Sequence, residues 1–424
     1  MHKLSLVLSS LALLSALPVL GAQARPAPSF EIEERKIVQP LDHGNPAGET
    51  FVQRLLIAKS KAFNEQSPVF FLVGGELSIT EAYLRKLAGT YSDPSKPMIF
   101  VLLEHRGFGE STSSNEDQTV PSYVGVDQYL GDIHEVVRAF RSEFRGKWVA
   151  AGWSYGGTLV IEAGNRYPSD FDALLSVSGT TRWPYFQKTF DRRTRELLGK
   201  SLNKELAGQI SRLQPDHLYD EKWKQREFVT ALTKGILYRK NINWLKSILK
   251  LAGWLPSNKF LGVLHWLDDR FASGQAWNYA LSTSASRVSK AEIATGKFDW
   301  RVFRYQQCTQ LGYFDLPGAK PTLYQRTEHD YLEECRALFG NLPDNFPKEW
   351  NVEEEIPALR APLFYVKGAN DPFAGQQLPD TYSIPRGKLY FSKRGFHNPD
   401  LSDPELAHRI LDDVWKVIGT KPPK

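Results

Sequence analysis

Residues Val149–Leu159 read VAAGWSYGGTL. An apolar run enters the core Gly152-Trp153-Ser154-Tyr155-Gly156, and Gly157 closes it. Two readings compete: a plain surface turn, or a nucleophile held where a buried strand turns sharply into a helix. Trp148–Gly152 has the apolar, β-prone composition of a buried strand, and the chain from Thr158 to Tyr167 has a helical pattern. A serine at that junction sits on a tight turn with its hydroxyl projecting clear of the sheet. Gly152, Gly156 and Gly157 then omit side chains that would strike the neighbouring strand and helix, and the Tyr155 N–H points to where an oxyanion would form.

The same alternation extends outward. Phe51–Ala58, Pro68–Val73, Met98–Leu103 and Ala173–Val177 are short runs rich in β-branched and aromatic residues. Between them, Asp127 to Arg145 places Leu130, Ile133, Val137 and Phe140 on one helical face. Strands alternating with helices predict an α/β fold, a mostly parallel sheet with helices on both faces. From about Arg182 to Glu355 strand-like runs give way to helical, charged, Trp-rich sequence. One piece, Trp244 to Leu249, is amphipathic and suits packing against a neighbouring helix. Ala361–Lys367 and Lys388–Phe391 are strands again, and a last helix opens with a capping-box spacing from Ser402 to Glu405 and runs to Ile418. The expected organisation is an α/β domain at 25–181 and 356–424, interrupted by a helical insert at 182–355.

Met1 to Ala24 carries Lys3, an apolar stretch from Leu4 to Leu20 and then Ala22-Gln23-Ala24. This three-part pattern predicts a secretory leader cleaved near Ala24, hence an exported protein without stable membrane insertion. The net charge of +5 is spread along 424 residues, with no basic block of the kind that tracks a phosphate backbone, so nucleic acid is not an expected partner. The arginines at 192, 193 and 195 read as a solvated helix face. The only two cysteines are Cys308 and Cys335; in an oxidising compartment such a pair usually forms one disulfide, the alternative being two free thiols. No metal constellation and no dinucleotide glycine pattern occurs, so no cofactor is expected. Oligomeric state has no signature here.

A nucleophilic serine needs a base, and the base an orienting carboxylate. In this strand–helix arrangement the chain order is serine, acid, histidine, with the last two on loops after late strands. APLFYVKGAND ends at Asp371, and KLYFS is followed by KRGFHNPD, which carries His397. Asp380 and Asp400 are the competing acids. His43, His105 and His134 precede the serine, His217, His265 and His329 fall in the insert, and His408 lies in the last helix. FFLVGGEL, Phe70 to Leu77, is the strand and loop that usually supply a second oxyanion N–H, here from Gly74 or Gly75.

Taken together, QPLDHGNPAGETFVQR (Gln39–Arg54), GGE (Gly74–Glu76), EHRGFGES (Glu104–Ser111), GWSYGG (Gly152–Gly157), RYQQCTQLGYF (Arg304–Phe314), GANDPF and GFHN resemble one family. It is the group of serine exopeptidases that includes lysosomal Pro-Xaa carboxypeptidase and dipeptidyl peptidase II, with the related secreted bacterial tripeptidyl aminopeptidases. The resemblance implies an α/β-hydrolase domain with an inserted helical cap, a Ser154–Asp371–His397 triad, and exopeptidase action on peptides, often after proline. The family commonly has Gly-Gly-Ser where this chain has Gly152-Trp153-Ser154, and Cys-Thr-Glu where it has Cys308-Thr309-Gln310. Gln310 and Glu76 are the substrate-binding candidates. Glu76 suits a substrate α-ammonium and favours aminopeptidase action with release of di- or tripeptides, provided Arg106 does not claim it. A carboxypeptidase would need a basic residue such as Arg182 or Lys188. A lipase or carboxylesterase on the same fold would use the same triad.

Overall fold

The computed structural model describes residues 29–93, 95–212, 250, 259, 262, 287–322, 324, 326–340 and 349–419. The expected leader, the amphipathic stretch at 244–249, His217 and His265 lie outside these residues. In chain order come β1 (Phe30–Pro40), β2 (Thr50–Ser60), β3 (Val69–Val73), α1 (Glu81–Thr90), β4 (Ile99–Leu103), α2 (Val126–Phe140), β5 (Trp148–Trp153), α3 (Tyr155–Arg166) and β6 (Ala173–Val177). The next described elements are β7 (Arg182–Pro184), β8 (Phe186–Gln187), α4 (Thr189–Leu198), α5 (Lys200–Arg212), α6 (Lys290–Ala294), α7 (Asp299–Gln306), a π-helical turn at Gln307–Leu311, β9 (Phe314–Asp315), α8 (Glu328–Phe339) and β10 (Glu349–Asn351). β11 (Leu363–Gly368), β12 (Gly387–Ser392) and α9 (Pro404–Ile418) complete the chain.

Eight strands form one sheet in the order β1-β2-β4-β3-β5-β6-β11-β12. The six from β4 to β12 in that order are parallel, β2 is antiparallel to β4, and β1 is antiparallel to β2. The parallel strands are continuous apolar runs because helices cover both their faces. Val69, Phe71 and Val73 pack with Ile133 and Val137 of α2 and Leu159 of α3. Phe70 and Leu72 face the other way, with Leu84 and Leu87 of α1 and Ile410 and Val414 of α9. Each large apolar side chain buried in this way contributes about 1.5–3 kcal/mol.

The sequence pattern does not predict strand β1. Its charged residues are those of an exposed edge: Arg35 pairs with Glu33 and Glu143, and Lys36 with Glu110. Charge on an edge strand opposes pairing with another sheet. The last helix is capped one residue later than its capping-box spacing suggests. Asp403 accepts the Leu406 N–H at 3.0 Å, and the Ser402 hydroxyl donates to the Pro399 carbonyl at 3.0 Å. Pro404 takes the first helical position, where its missing N–H costs nothing.

Between β6 and β11 the described chain is mainly helical. It leaves the sheet through β7 and returns through β10, which pair antiparallel with Trp183 opposite Trp350. A Cys308–Cys335 disulfide joins the π-helical turn to α8. The arginines of α4 are not simply solvated: Arg193 donates to the Ala369 carbonyl and pairs with Glu196, and Arg195 pairs with Asp191.

Candidate active site

Ser154 stands between the last residue of β5 and the first of α3 with φ 55° and ψ −122°. A non-glycine residue held there stores about 1–3 kcal/mol of strain, so its surroundings must enforce it. The Ser154 N–H donates to the Val177 carbonyl at 2.9 Å, tying the turn to the end of β6. The glycines are steric requirements. A Cβ on Gly152 would lie 2.2 Å from the Gly156 carbonyl oxygen, and one on Gly156 would lie 2.7 Å from that of Val73. Ser154 itself is half-buried.

His397 follows β12, and its Nδ1 lies 2.8 Å from Asp371 Oδ2. Asp371 follows β11 and is fully buried. Its Oδ1 accepts the Phe373 N–H at 2.9 Å, and its Oδ2 also accepts the Gln377 side-chain amide at 2.7 Å. Burial alone would raise the Asp371 carboxyl. The His397 charge and these hydrogen bonds outweigh it and hold the group below the ordinary aspartate value. Burial alone would lower His397, but the Asp371 charge and bond, with Glu76 and Asp400 beyond, hold the imidazole above its ordinary value.

The competing groups are engaged elsewhere. Asp380 pairs with Lys367 at 2.8 Å, and Asp400 accepts from Tyr91 and Trp153. His43 meets Asp132, His134 meets Asp170, and His329 meets Glu333. Burial pushes His105 down to about 3, so it is neutral. Ser178 and Gln377 had no signal in the sequence. Ser178 Oγ accepts the Asn398 N–H at 3.0 Å, and the Ser178 carbonyl accepts from Gln377 at 3.2 Å. The residue after β6 thereby holds the His397 loop and the Asp371 clamp next to the nucleophile turn. A positive φ of 51° at Ser178 is the local mark of that task.

Two expectations are corrected. The Gly74 N–H is occupied: it donates to the Leu103 carbonyl at 3.1 Å and to the Tyr129 hydroxyl at 3.0 Å, continuing the β3–β4 ladder. Among the described residues no hydrogen bond uses the N–H of Gly75 or Tyr155. Gly75 lies against the start of α3, where a Cβ would be 3.3 Å from the Gly156 nitrogen. Gln310 is also committed. Its Oε1 accepts the Val126 N–H at 2.9 Å and caps α2, whose N-cap, Gly125, has no side chain to do so.

Glu76 is half-buried and forms no ion pair among the described residues. Arg106 does not claim it. That guanidinium binds Asp132 and the carbonyls of Pro40, Leu41 and Tyr123. Burial raises the Glu76 carboxyl, opposed in part by the nearby His397 charge. Arg182 pairs with Glu353 at 3.0 Å, and Lys188 is exposed.

Sheet order and a strand–serine–helix junction make the fold an α/β-hydrolase. The family model described as serine carboxypeptidase S28 matches residues 39–196. "Probable serine protease EDA2" of Arabidopsis thaliana is 22% identical over 371 residues, 79% of this chain and 74% of its own length. "Thymus-specific serine protease" of Mus musculus is 20% identical over 386 residues, 79% of this chain and 76% of its own. "Prolyl tri/tetrapeptidyl aminopeptidase" of Streptomyces mobaraensis is 26% identical over 140 residues, 32% of this chain and 27% of its own. An acetylester hydrolase from Corynebacterium glutamicum superimposes with a TM-score of 0.47 at 13% identity, covering 92% of this chain and 96% of its own. Over residues 39–196 the chain is similar to the S28 family of serine peptidases, and it is a serine-type peptidase.

Proposed function

We propose that this peptidase is an exported aminopeptidase that releases di- or tripeptides through Ser154, His397 and Asp371. His397 Nδ1 is held by Asp371, so Nε2 is the nitrogen that takes the Ser154 proton as the hydroxyl oxygen attacks the peptide carbonyl. The N–H groups of Tyr155 and Gly75 receive the oxyanion, each worth on the order of 3 kcal/mol. His397 then gives its proton to the leaving amine, and water hydrolyses the acyl-enzyme by the same route. The insert at 182–355 acts as a cap that restricts access to chain ends. The leader at 1–24 directs export, which accords with the Cys308–Cys335 disulfide.

The observation that carries the aminopeptidase reading is Glu76. It is a half-buried carboxylate one residue from Gly75, with His397 in its field and no ion-pair partner among the described residues. A substrate α-ammonium supplies that partner. The prolyl tri/tetrapeptidyl aminopeptidase among the relatives, similar over 140 residues, points the same way. A carboxypeptidase reading rests on Arg193, whose guanidinium reaches the Ala369 carbonyl in the Asp371 loop. Two matched peptides, one N-terminally acetylated and one C-terminally amidated, separate the readings. Acetylation abolishes cleavage and amidation leaves it nearly unchanged if Glu76 reads the ammonium. The opposite pattern makes the enzyme a carboxypeptidase.

A further inference from the structure

Asp400 is a buried carboxylate that the reaction as described does not use. It lies three residues beyond His397, in a short 3-10 turn at Pro399–Leu401, and its side chain is sealed from solvent. Its Oδ2 accepts two bonds, from the Tyr91 hydroxyl at 2.6 Å and from the Trp153 indole N–H at 2.8 Å. Trp153 immediately precedes Ser154. Tyr91 caps the end of α1 and packs edge-on against Trp153, with ring centroids 5.7 Å apart. Asp400 Oδ1 is buried and has no side-chain partner among the described residues, with the Leu401 and Asp400 N–H groups as the carboxyl's backbone donors. One carboxyl therefore joins the base loop, the nucleophile turn and the helix that follows the Glu76 loop.

The chemistry of this arrangement is unusual. Two neutral donors ask only for a neutral acceptor, and an asparagine side chain would serve them. A buried carboxylate costs several kcal/mol more than such an amide unless a cation faces it. Burial raises the Asp400 carboxyl, opposed in part by the Tyr91 and Trp153 bonds and by the Leu401 and Asp400 N–H groups; Tyr83, Tyr91 and His397 lie in its field. Only His397 becomes positive, and it does so at the step where it holds the serine proton.

We propose that Asp400 is a positioning residue for the Ser154–His397 pair: it ties the nucleophile turn to the base loop through Trp153. This rests on His397 being the base. The raised His397 value, to which Asp400 contributes along with Asp371 and Glu76, agrees with it. Trp153 stands where the family commonly has glycine, so the indole arm of the strut belongs to this chain.

The test separates strut from charge and does not depend on turnover alone. Asp400→Asn keeps an acceptor for both donors and removes the charge. By NMR on histidine-labelled protein, assigned with a His397→Gln control, the His397 titration midpoint falls by on the order of half a unit. The acid limb of kcat/KM moves down with it. Trp153→Phe removes one strut bond and no charge; kcat falls roughly tenfold while the His397 midpoint stays in place. A normal kcat in Trp153→Phe overturns the proposal, and an unmoved midpoint in Asp400→Asn shows that burial keeps the Asp400 carboxyl protonated and leaves the strut as its role. If Asp400→Asn does not fold, Trp153→Phe still decides. If His397→Gln keeps full activity while the midpoints shift as stated, the base assignment has failed and not the electrostatic coupling.

Discussion

The nucleophile turn and the segment that faces it, residues 299–310, are built by different means. The turn is a backbone object. Gly152, Gly156 and Gly157 clear space measured against main-chain atoms, and Ser154 is held by a main-chain bond to Val177. The facing segment is held by side chains that reach across the fold. Asp299 accepts the Ser78 N–H at 2.7 Å and its hydroxyl at 2.6 Å. Gln306 donates to the Tyr155 hydroxyl at 3.1 Å, and Gln310 caps α2. Sterics of the first kind tolerate no substitution. Hydrogen bonds of the second kind are worth about 1 kcal/mol each when neutral, and those that titrate respond to pH.

The sharpest break of that contrast lies in the turn. Ser154→Ala removes the attacking oxygen and lowers kcat on the order of 10^5-fold or more, with the melting temperature nearly unchanged. Gly152→Ala adds only a methyl group, yet it must displace the Gly156 backbone and costs about 3 kcal/mol or more of stability. Calorimetry and active-site labelling with a fluorophosphonate check both. A Gly152→Ala protein that melts normally and labels at full rate would show that the turn is not sterically fixed.

The contrast also explains what could be read in advance. β5, Ser154 and α3 were legible because the glycine spacing encodes a local backbone. Asp371 and His397, which the structure brings together, could be singled out because each lies on the loop after a recognisable strand. Gly74 and Gly75 look alike in sequence, and only the Leu103 carbonyl and the Tyr129 hydroxyl across the sheet decide which N–H remains available. Ser178, Gln377, Asp400 and Asp299 are polar residues with partners far away in sequence, as with Ser78 and Asp299, 221 positions apart. No periodicity records such a pairing. The same holds for Gln310, whose partner Val126 lies 184 positions away. β1 was missed because an edge strand with charges along it lacks the apolar alternation that marks a half-buried one.

The next effect is a pH dependence. Burial raises Asp299 to about 7, and it raises Glu104 to about 7 as well, with Asp299 adding to it. Glu104 holds the other side of the same loop, accepting the Ile79 N–H at 3.0 Å. An acid whose value is raised in the folded protein binds more protons folded than unfolded. The stability it contributes is present below the unfolded value near 4 and is lost as pH rises through about 7. The melting temperature is therefore expected to fall between about pH 4 and pH 7, and Asp299→Asn to flatten that fall. Because the substituted amide keeps its oxygen for the Ser78 N–H and can turn its NH2 to the Ser78 hydroxyl as acceptor, a slope unchanged by the substitution would mean that Asp299 does not titrate in this range.

The smallest effect tests the corrected role of Gln310. As a cap, Gln310 acts on α2 and not on substrate. Gln310→Ala leaves the Val126 N–H without its acceptor and costs about 1 kcal/mol, visible as a modest drop in melting temperature. KM for a short peptide stays within about twofold of the parent value, since the side chain is turned to the helix. Gln310→Glu sharpens the point. A carboxylate at a helix N-terminus meets the positive end of the dipole, so this variant is expected to be at least as stable as the parent, by up to about 1 kcal/mol. It also restores the residue that the family commonly carries there. A large change in KM or in preference for a free peptide terminus, with stability unmoved in both variants, would return Gln310 to the substrate and make the observed cap incidental.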